Sequence, residues 1–402
     1  MRLRRKKGRV LFAGQSYYHA WYLSRELRKL GWRADVLNWD PNPKSEIYYH
    51  GEDHRLAYRG RTYGGKGKNE HDAYRHALYL ARAIPRYDIF HFSNTRGIKT
   101  SVALAAWVEG RWGEAAEIRL LKRLGKKIVY SNNGCLDGVL QSSFDAWGPE
   151  PTCEICPWRT VPHICSDETN RAWGELRNSL ADYQVTTGGN RADWNDDPTV
   201  HEVPQFYCLD PEVWRPDLAI PPEHRAERRP GQLRLYHAVG NAGERVSAHT
   251  RQSLKSTHIW FPLAEQLRSE GRDVELFYAT DIPNRDVRYY QLQSDVVCDM
   301  LTIGWFGANV REAMMLGKPA VCYLRPAWLE QIREQVPGYV EELPVVSATP
   351  ETVHDVVAEL LDSPERRREL GERGREFALK WHSAKAAAQR FDEIYSELLE
   401  TR

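Results

Sequence analysis

"GWFGANVREAMMLGKPAV", residues 304–321, sets a Gly-aromatic-Gly turn ahead of a short helical pattern that carries one acid, Glu312. The pattern ends at Gly317-Lys318-Pro319, where glycine and proline stop a helix, and the apolar segment "PAVCYL" follows. Just upstream stands "DVVCD", a second short apolar run, so the stretch reads as strand, glycine turn, helix, strand. A carboxylate one or two turns behind such a turn has a definable use. It can accept two hydrogen bonds from a vicinal diol such as a ribose, while N–H groups of the turn approach a phosphate.

The same alternation continues on both sides. "LRLYHAVGN" and "DVELFYAT" read as strands and "HIWFPLAEQLRSEG" as a helix between them. In the N-terminal half "RVLFAG" (9–14), "RADVLNW", "YDIFHF" (87–92), "KKIVYSNN" (126–133), "DYQVTT" (182–187) and "VHEVPQF" read as strands, separated by helical stretches such as "SYYHAWYLSRELRKLG". Residues 209–232 are rich in proline and charge, hold no period, and read as a linker. Strands alternating with helices of this length predict parallel sheets covered on both faces. The expected fold class is therefore α/β, with two Rossmann-like domains and a cleft between them. They span 1–208, with a Cys-rich insertion at 135–165, and 233–380. Residues 381–402 form a closing helix that crosses back to the first domain.

At 402 residues the chain is long enough for two cores, and 42% hydrophobic with 28% charged residues describes a globular protein. The longest apolar run, "VALAAWV" (102–108), is too short to span a bilayer. No apolar signal-peptide core follows the basic start, so a cytoplasmic location is expected. Net charge is +1, which gives no reason to expect nucleic acid as a partner. Arg2, Arg4, Arg5, Lys6, Lys7 and Arg9 offer peripheral contact with anionic lipid headgroups, or simply a solvated lead-in to the first strand.

Ligands in open α/β sheets bind beyond the carboxyl ends of strands, so the loops there are the candidate sites. Gly14-Gln15-Ser16 follows the first strand and opens a helix whose N–H groups favour a phosphate or a sugar oxygen. His91 and Ser93 lie at the end of "YDIFHF". The segment 240–257 carries Asn241, Arg245, Arg251 and Lys255 ahead of a helix, cations that suit a diphosphate. Neither G-x-G-x-x-G nor G-x-x-x-x-G-K-[ST] occurs, which weighs against a dinucleotide oxidoreductase and a P-loop NTPase.

On these residues the C-terminal half resembles the retaining, nucleotide-sugar-dependent glycosyltransferases of the GT-B fold, family 4 type. The family reads Glu-Gly-Phe-Gly, four residues, Glu-Ala-Met, then Gly-Lys-Pro; Gly307, Glu312, Ala313, Met314, Gly317, Lys318 and Pro319 match it. "LKSTHIWFPLAEQL" looks like the family's Lys-Gly-Thr segment, with Lys255 as the phosphate lysine and Ser256 in place of glycine. The resemblance implies a catalytic set of Lys255, Arg251, His91 and Ser93. It implies donor contacts from Glu312, Gly307, Ala308, Asn309, Gly304, Arg245 and Asn241. Two positions depart from the pattern, both on the sugar side: Gly304 stands where the family has its first glutamate, and Ser93 where it has a second histidine.

Cys135, Cys153, Cys156 and Cys165 cluster in one proline-rich region, with His163 beside them. Clustered thiols in a reducing compartment suggest a structural zinc or an iron–sulfur cluster, or else plain buried cysteines. The expected function is transfer of a sugar from a nucleotide-diphosphate donor to a hydroxyl acceptor with retention. A sugar-nucleotide epimerase, a phosphorylase-like enzyme and a non-catalytic sugar or nucleotide binder are the rivals. No Asp-x-Asp occurs, so catalysis is expected to need no divalent cation.

Overall fold

The computed structural model describes residues 7–14, 17–38, 48–56, 70–93, 97–98, 102–132, 138–149, 151–156, 158–162, 165–186, 191–246 and 251–401, without the side chains of 70–73, 102–106 and 244. Strands β1 (Arg9–Ala13), β2 (Arg33–Asn38), β3 (His54–Arg55), β4 (Ile89–Ser93), β5 (Lys127–Ser131), β6 (Tyr183–Thr186) and β7 (Val200–Glu202) form the first sheet, in the order β3-β2-β1-β4-β5-β6-β7. Strands β8 (Leu233–Val239), β9 (Val274–Thr280), β10 (Val296–Cys298), β11 (Ala320–Cys322) and β12 (Val346–Ser347) form the second, ordered β12-β11-β10-β8-β9. Every pairing is parallel. Strands with both faces covered must be apolar throughout. Val10 to Ala13, Ile128 to Tyr130 and Val296 to Cys298 are accordingly buried without alternation.

Chain order reverses between β1 and β4 in the first sheet and between β8 and β10 in the second. At such a switch point the flanking loops part and leave a crevice at the strands' carboxyl ends. The two crevices face each other.

Residues 209–232 are more than a tether. Trp214 is fully buried, its ring 5.9 Å from Tyr18 and 6.4 Å from His50. A short parallel bridge joins Leu209 to Ser383, and the helix Ala384–Glu400 that follows packs on the first domain. There Tyr395 is buried with its hydroxyl 2.7 Å from His91 Nδ1, and Asp392 accepts the Trp32 indole N–H at 2.7 Å. One buried cluster consequently runs through both domains, from Val10 and Leu23 through Trp214 to Val310 and Phe391. The run "VHEVPQF" is shorter as a strand than its composition suggests. β7 stops at Glu202, because Pro204 has no N–H for a ladder and starts a 3₁₀ turn instead. The two edge strands β3 and β12 are only two residues long, too short for periodicity to reveal.

Candidate active site

Both switch points open on one cavity of about 230 Å³. The first domain contributes Tyr17, Tyr18 and His19 after β1, and Asn132 after β5; the second contributes Gly240 after β8, Asp281 after β9, and Trp305 to Asn309 after β10. A Cβ at Gly240 would meet the Tyr48 hydroxyl across the cleft, so a larger residue there has to push that ring aside.

Glu312 lies on the helix Ala308–Met315 and is buried against the cavity wall. Tyr18 Oη donates to its Oε1 at 2.9 Å, Asn284 Nδ2 to the same oxygen at 2.8 Å, and Gln291 Nε2 to Oε2 at 3.0 Å. Burial pushes the carboxyl above its usual pKa, and the three donors pull the other way. Among the described residues the carboxylate is therefore held in place by three neutral donors, with no ion pair to a cation. A diol can exchange with such donors without breaking an ion pair.

A second carboxylate organises the anion side. Asp299, fully buried just after β10, accepts from Lys255 Nζ at 3.1 Å through Oδ1 and from the Gly307 N–H at 3.0 Å through Oδ2. Gly307 is the N-cap of the Glu312 helix, whose first turn has no side-chain cap. Its N–H groups at Ala308 and Asn309 therefore belong to the cavity, where an anion is stabilised. Arg245 lines the same wall, and Arg311 places its guanidinium carbon 4.8 Å from the Tyr207 ring centre. Ser256 takes the place of glycine at φ 61°, the left-handed region. Its Oγ accepts the Leu301 N–H at 2.8 Å, which offsets the strain.

The structure places several expected site residues elsewhere. His91 does not reach the cavity. It is buried between Phe206, stacked with centroids 5.1 Å apart, and the closing helix, and burial lowers its pKa to about 3. Its face of β4 is the one that residues 384–400 cover. Ser93 is half-buried at the end of β4 and does not line the cavity either. Arg251 turns away onto Phe261, its guanidinium carbon 4.1 Å from the ring centre. Gly304 lies off the cavity at φ 94°, and a Cβ there would meet Arg325 Cβ at 2.7 Å, so the position has no room for a glutamate. Asn241 caps the short helix Ala242–Arg245 at φ 53°. Gly14 takes φ 76° after β1, while Gln15 and Ser16 fall outside the described residues.

Cys153, Cys156 and Cys165 line an adjoining cavity of about 280 Å³, which shares Arg245 and Lys255 with the first, and there Gln141 Nε2 donates to Cys165 Sγ at 3.2 Å. Cys135 and His163 lie outside the described residues, so the four-thiolate set is not in view. Among the described residues no three metal-ligating side chains gather closely enough to hold an ion. Nor, among them, is any helix long and apolar enough to cross a membrane.

Residues 262–377 match the family described as glycosyl transferases group 1. The C-terminal domain is a group 1 glycosyltransferase domain. The whole chain shares its fold with solved GT-B structures. Sucrose-phosphate synthase from Thermosynechococcus elongatus superposes with a TM-score of 0.58 at 12% identity, covering 98% of this chain and 100% of that one. HepE from Anabaena, solved with UDP and glucose, gives 0.55 at 12%, covering 97% and 100%. The catalytic domain of starch synthase IV from Arabidopsis thaliana, bound to ADP and acarbose, gives 0.54 at 10%, covering 98% and 100%. At such identities the likeness is one of fold. No curated protein matches the sequence. The family match covers 116 of the 402 residues and lies within the second domain.

Sequence reasoning missed Tyr18, Asn284, Gln291, Asp299 and Arg311. Only Asp299 had a local signal, as the last residue of "DVVCD" ahead of the glycine turn.

Proposed function

We propose that the protein transfers a sugar from a nucleotide-diphosphate donor to a hydroxyl acceptor with retention, in the cavity between its domains. The observation that carries this reading is the spacing of two anchors on one wall. Glu312, one turn into the helix Ala308–Met315, offers a carboxylate for the ribose diol. Lys255, the Gly307 turn and the N–H groups at the start of that helix offer a diphosphate seat. As the bond to the sugar breaks, negative charge grows on the leaving diphosphate, and cations already fixed there stabilise it without reorganisation. Tyr18, His19 and Asn132 line the same cavity from the first domain, the side to which this reading assigns the acceptor.

Fixed cations also make a bridging metal unnecessary in this reading. Nucleotide-sugars incubated with the protein in EDTA should release nucleoside diphosphate, slowly to water and faster with the right hydroxyl acceptor. Release that requires added Mg²⁺ or Mn²⁺ while the circular dichroism spectrum is unchanged would overturn the metal-free mechanism. Donor binding with no release under any condition would favour a non-catalytic binder.

A further inference from the structure

The Cys-rich insertion of the first domain reaches across to the second. Phe144 and Trp147 pack on Trp305, ring centres 5.9 and 5.5 Å apart, and Thr152 Oγ1 donates to Thr302 O at 3.4 Å. Thr302 and Trp305 stand between β10 and Gly307, so the insertion is seated on the loop that leads into the diphosphate seat. Beside this contact lies the adjoining cavity of about 280 Å³. Leu254, Met300 and Ile303 line it from the second domain, and Val139, Phe144 and Cys156 from the insertion. It meets the cleft cavity at Arg245 and Lys255, which line both.

The lining selects a chemistry. Its polar side chains are largely engaged by the protein itself. Gln141 Nε2 donates to Cys165 O at 3.3 Å and Asn170 Nδ2 to Val139 O at 2.8 Å. Ser253 Oγ shares a hydrogen bond with Thr257 Oγ1 at 2.9 Å, and Arg159 pairs with Asp145 at 3.4 Å. Among the described residues no carboxylate lines the cavity. A sugar placed there would lose its hydration and leave hydroxyls unpaired. What remains is apolar and polarisable: Phe144, Met300, Ile303 and the thiols of Cys153, Cys156 and Cys165. Sulfur meets an aromatic ring favourably. Trp158, 37% exposed, marks where the cavity reaches solvent.

Position assigns the part. Retention means that the new bond forms on the face of the anomeric carbon that the old one leaves. The bond from that carbon to the diphosphate oxygen breaks with its electron pair on the diphosphate. The bond to the acceptor oxygen forms, and the hydroxyl proton passes to the departing diphosphate. An acceptor seated beside Lys255 and Arg245 presents its hydroxyl to that face. We propose, resting on the sugar-transfer reading, that this cavity holds the body of the acceptor, a compact aromatic alcohol or phenol, with its hydroxyl at the Lys255 end.

Two probes of similar size test this: 4-methylumbelliferone, a phenol, and methyl α-glucoside, a polyol. In calorimetric titrations the parent should bind the phenol about tenfold more tightly than the glucoside, or better. Cys156→Phe, which puts a ring into the cavity, should weaken the phenol by about tenfold or more, and Trp158→Ala by about threefold. UDP, ADP and GDP should bind both variants as they bind the parent, which checks that fold and cleft survive. With UDP-glucose, ADP-glucose and GDP-mannose as donors, the phenol should speed release of nucleoside diphosphate by the parent and not by Cys156→Phe. Unchanged phenol affinity in Cys156→Phe would overturn the proposal, as would tighter binding of the glucoside. So would release that the glucoside accelerates and the phenol does not. Phenol binding lost in the variant, with no release from any donor by the parent, would overturn the transfer reading and the acceptor role with it, and would leave an aromatic pocket in a binder.

Discussion

Two buried glutamates, one in each domain, are treated in opposite ways. Glu312 receives three hydrogen bonds from two segments, Tyr18 of the first domain and Asn284 and Gln291 of the helix Asn284–Leu292, and faces the cleft. Glu202 ends β7 with neither carboxylate oxygen bonded among the described residues, and burial pushes its pKa to about 7, with Arg191 pulling only weakly against it. A buried carboxylate with donors is a preformed site whose donors a ligand can replace. One without donors is a group that resists ionising, and it shows itself in stability rather than in binding.

The largest expected effect concerns a third buried carboxylate, Asp299, which does have a cation. Lys255→Ala should lower kcat by about 10²–10³-fold, as removal of one preorganised charge-stabilising donor does. It should also destabilise the fold by about 3 kcal/mol, because Asp299 is left buried and unpaired. Adding Asp299→Asn should restore the stability and leave turnover low. Recovery of both in the double variant, by steady-state kinetics and urea unfolding, would mean that Lys255 serves the fold alone.

Glu202 gives the next largest effect, and its sign is fixed. The folded pKa lies above the unfolded one, so the folded state binds more protons between pH 4.5 and about 7, and stability falls as pH rises through that window. The gap between 4.5 and about 7 corresponds to about 3 kcal/mol. Glu202→Gln should match the parent at pH 4 and exceed it by about that amount at pH 8. Parallel stability curves at the two pH values would show that Glu202 has a partner after all.

Tyr18→Phe should be the smallest change and the most informative about Glu312. Losing one donor should cost about 1 kcal/mol of stability, yet tighten nucleotide binding by up to about tenfold, because the ribose no longer displaces a hydroxyl. A loss of affinity would place Tyr18 in the bound complex instead.

How much of this was legible follows from sequence distance. Gly307 and Glu312 sit five positions apart on one turn and helix, so local pattern was enough to pair them. The α/β alternation was equally local, and its strands appear where the apolar runs fall. Tyr18 lies 294 residues from Glu312, and only the facing of two switch points brings them together. His91 failed for the complementary reason. Alternation along β4 could show which side chains share a face, but not that the closing helix covers that face. Gly304 was visible as a departure, whereas its cause, Arg325 across the turn, required coordinates.

Calorimetric titration of nucleoside diphosphates into the parent protein and into Glu312→Ala, both in EDTA, tests the central claim most directly. The account predicts that at least one nucleotide binds the parent without metal, and that the variant loses about 1.5–3 kcal/mol of that affinity with its fold intact. Equal affinity in the two proteins would contradict it, and the cleft carboxylate would then have no part in holding the donor.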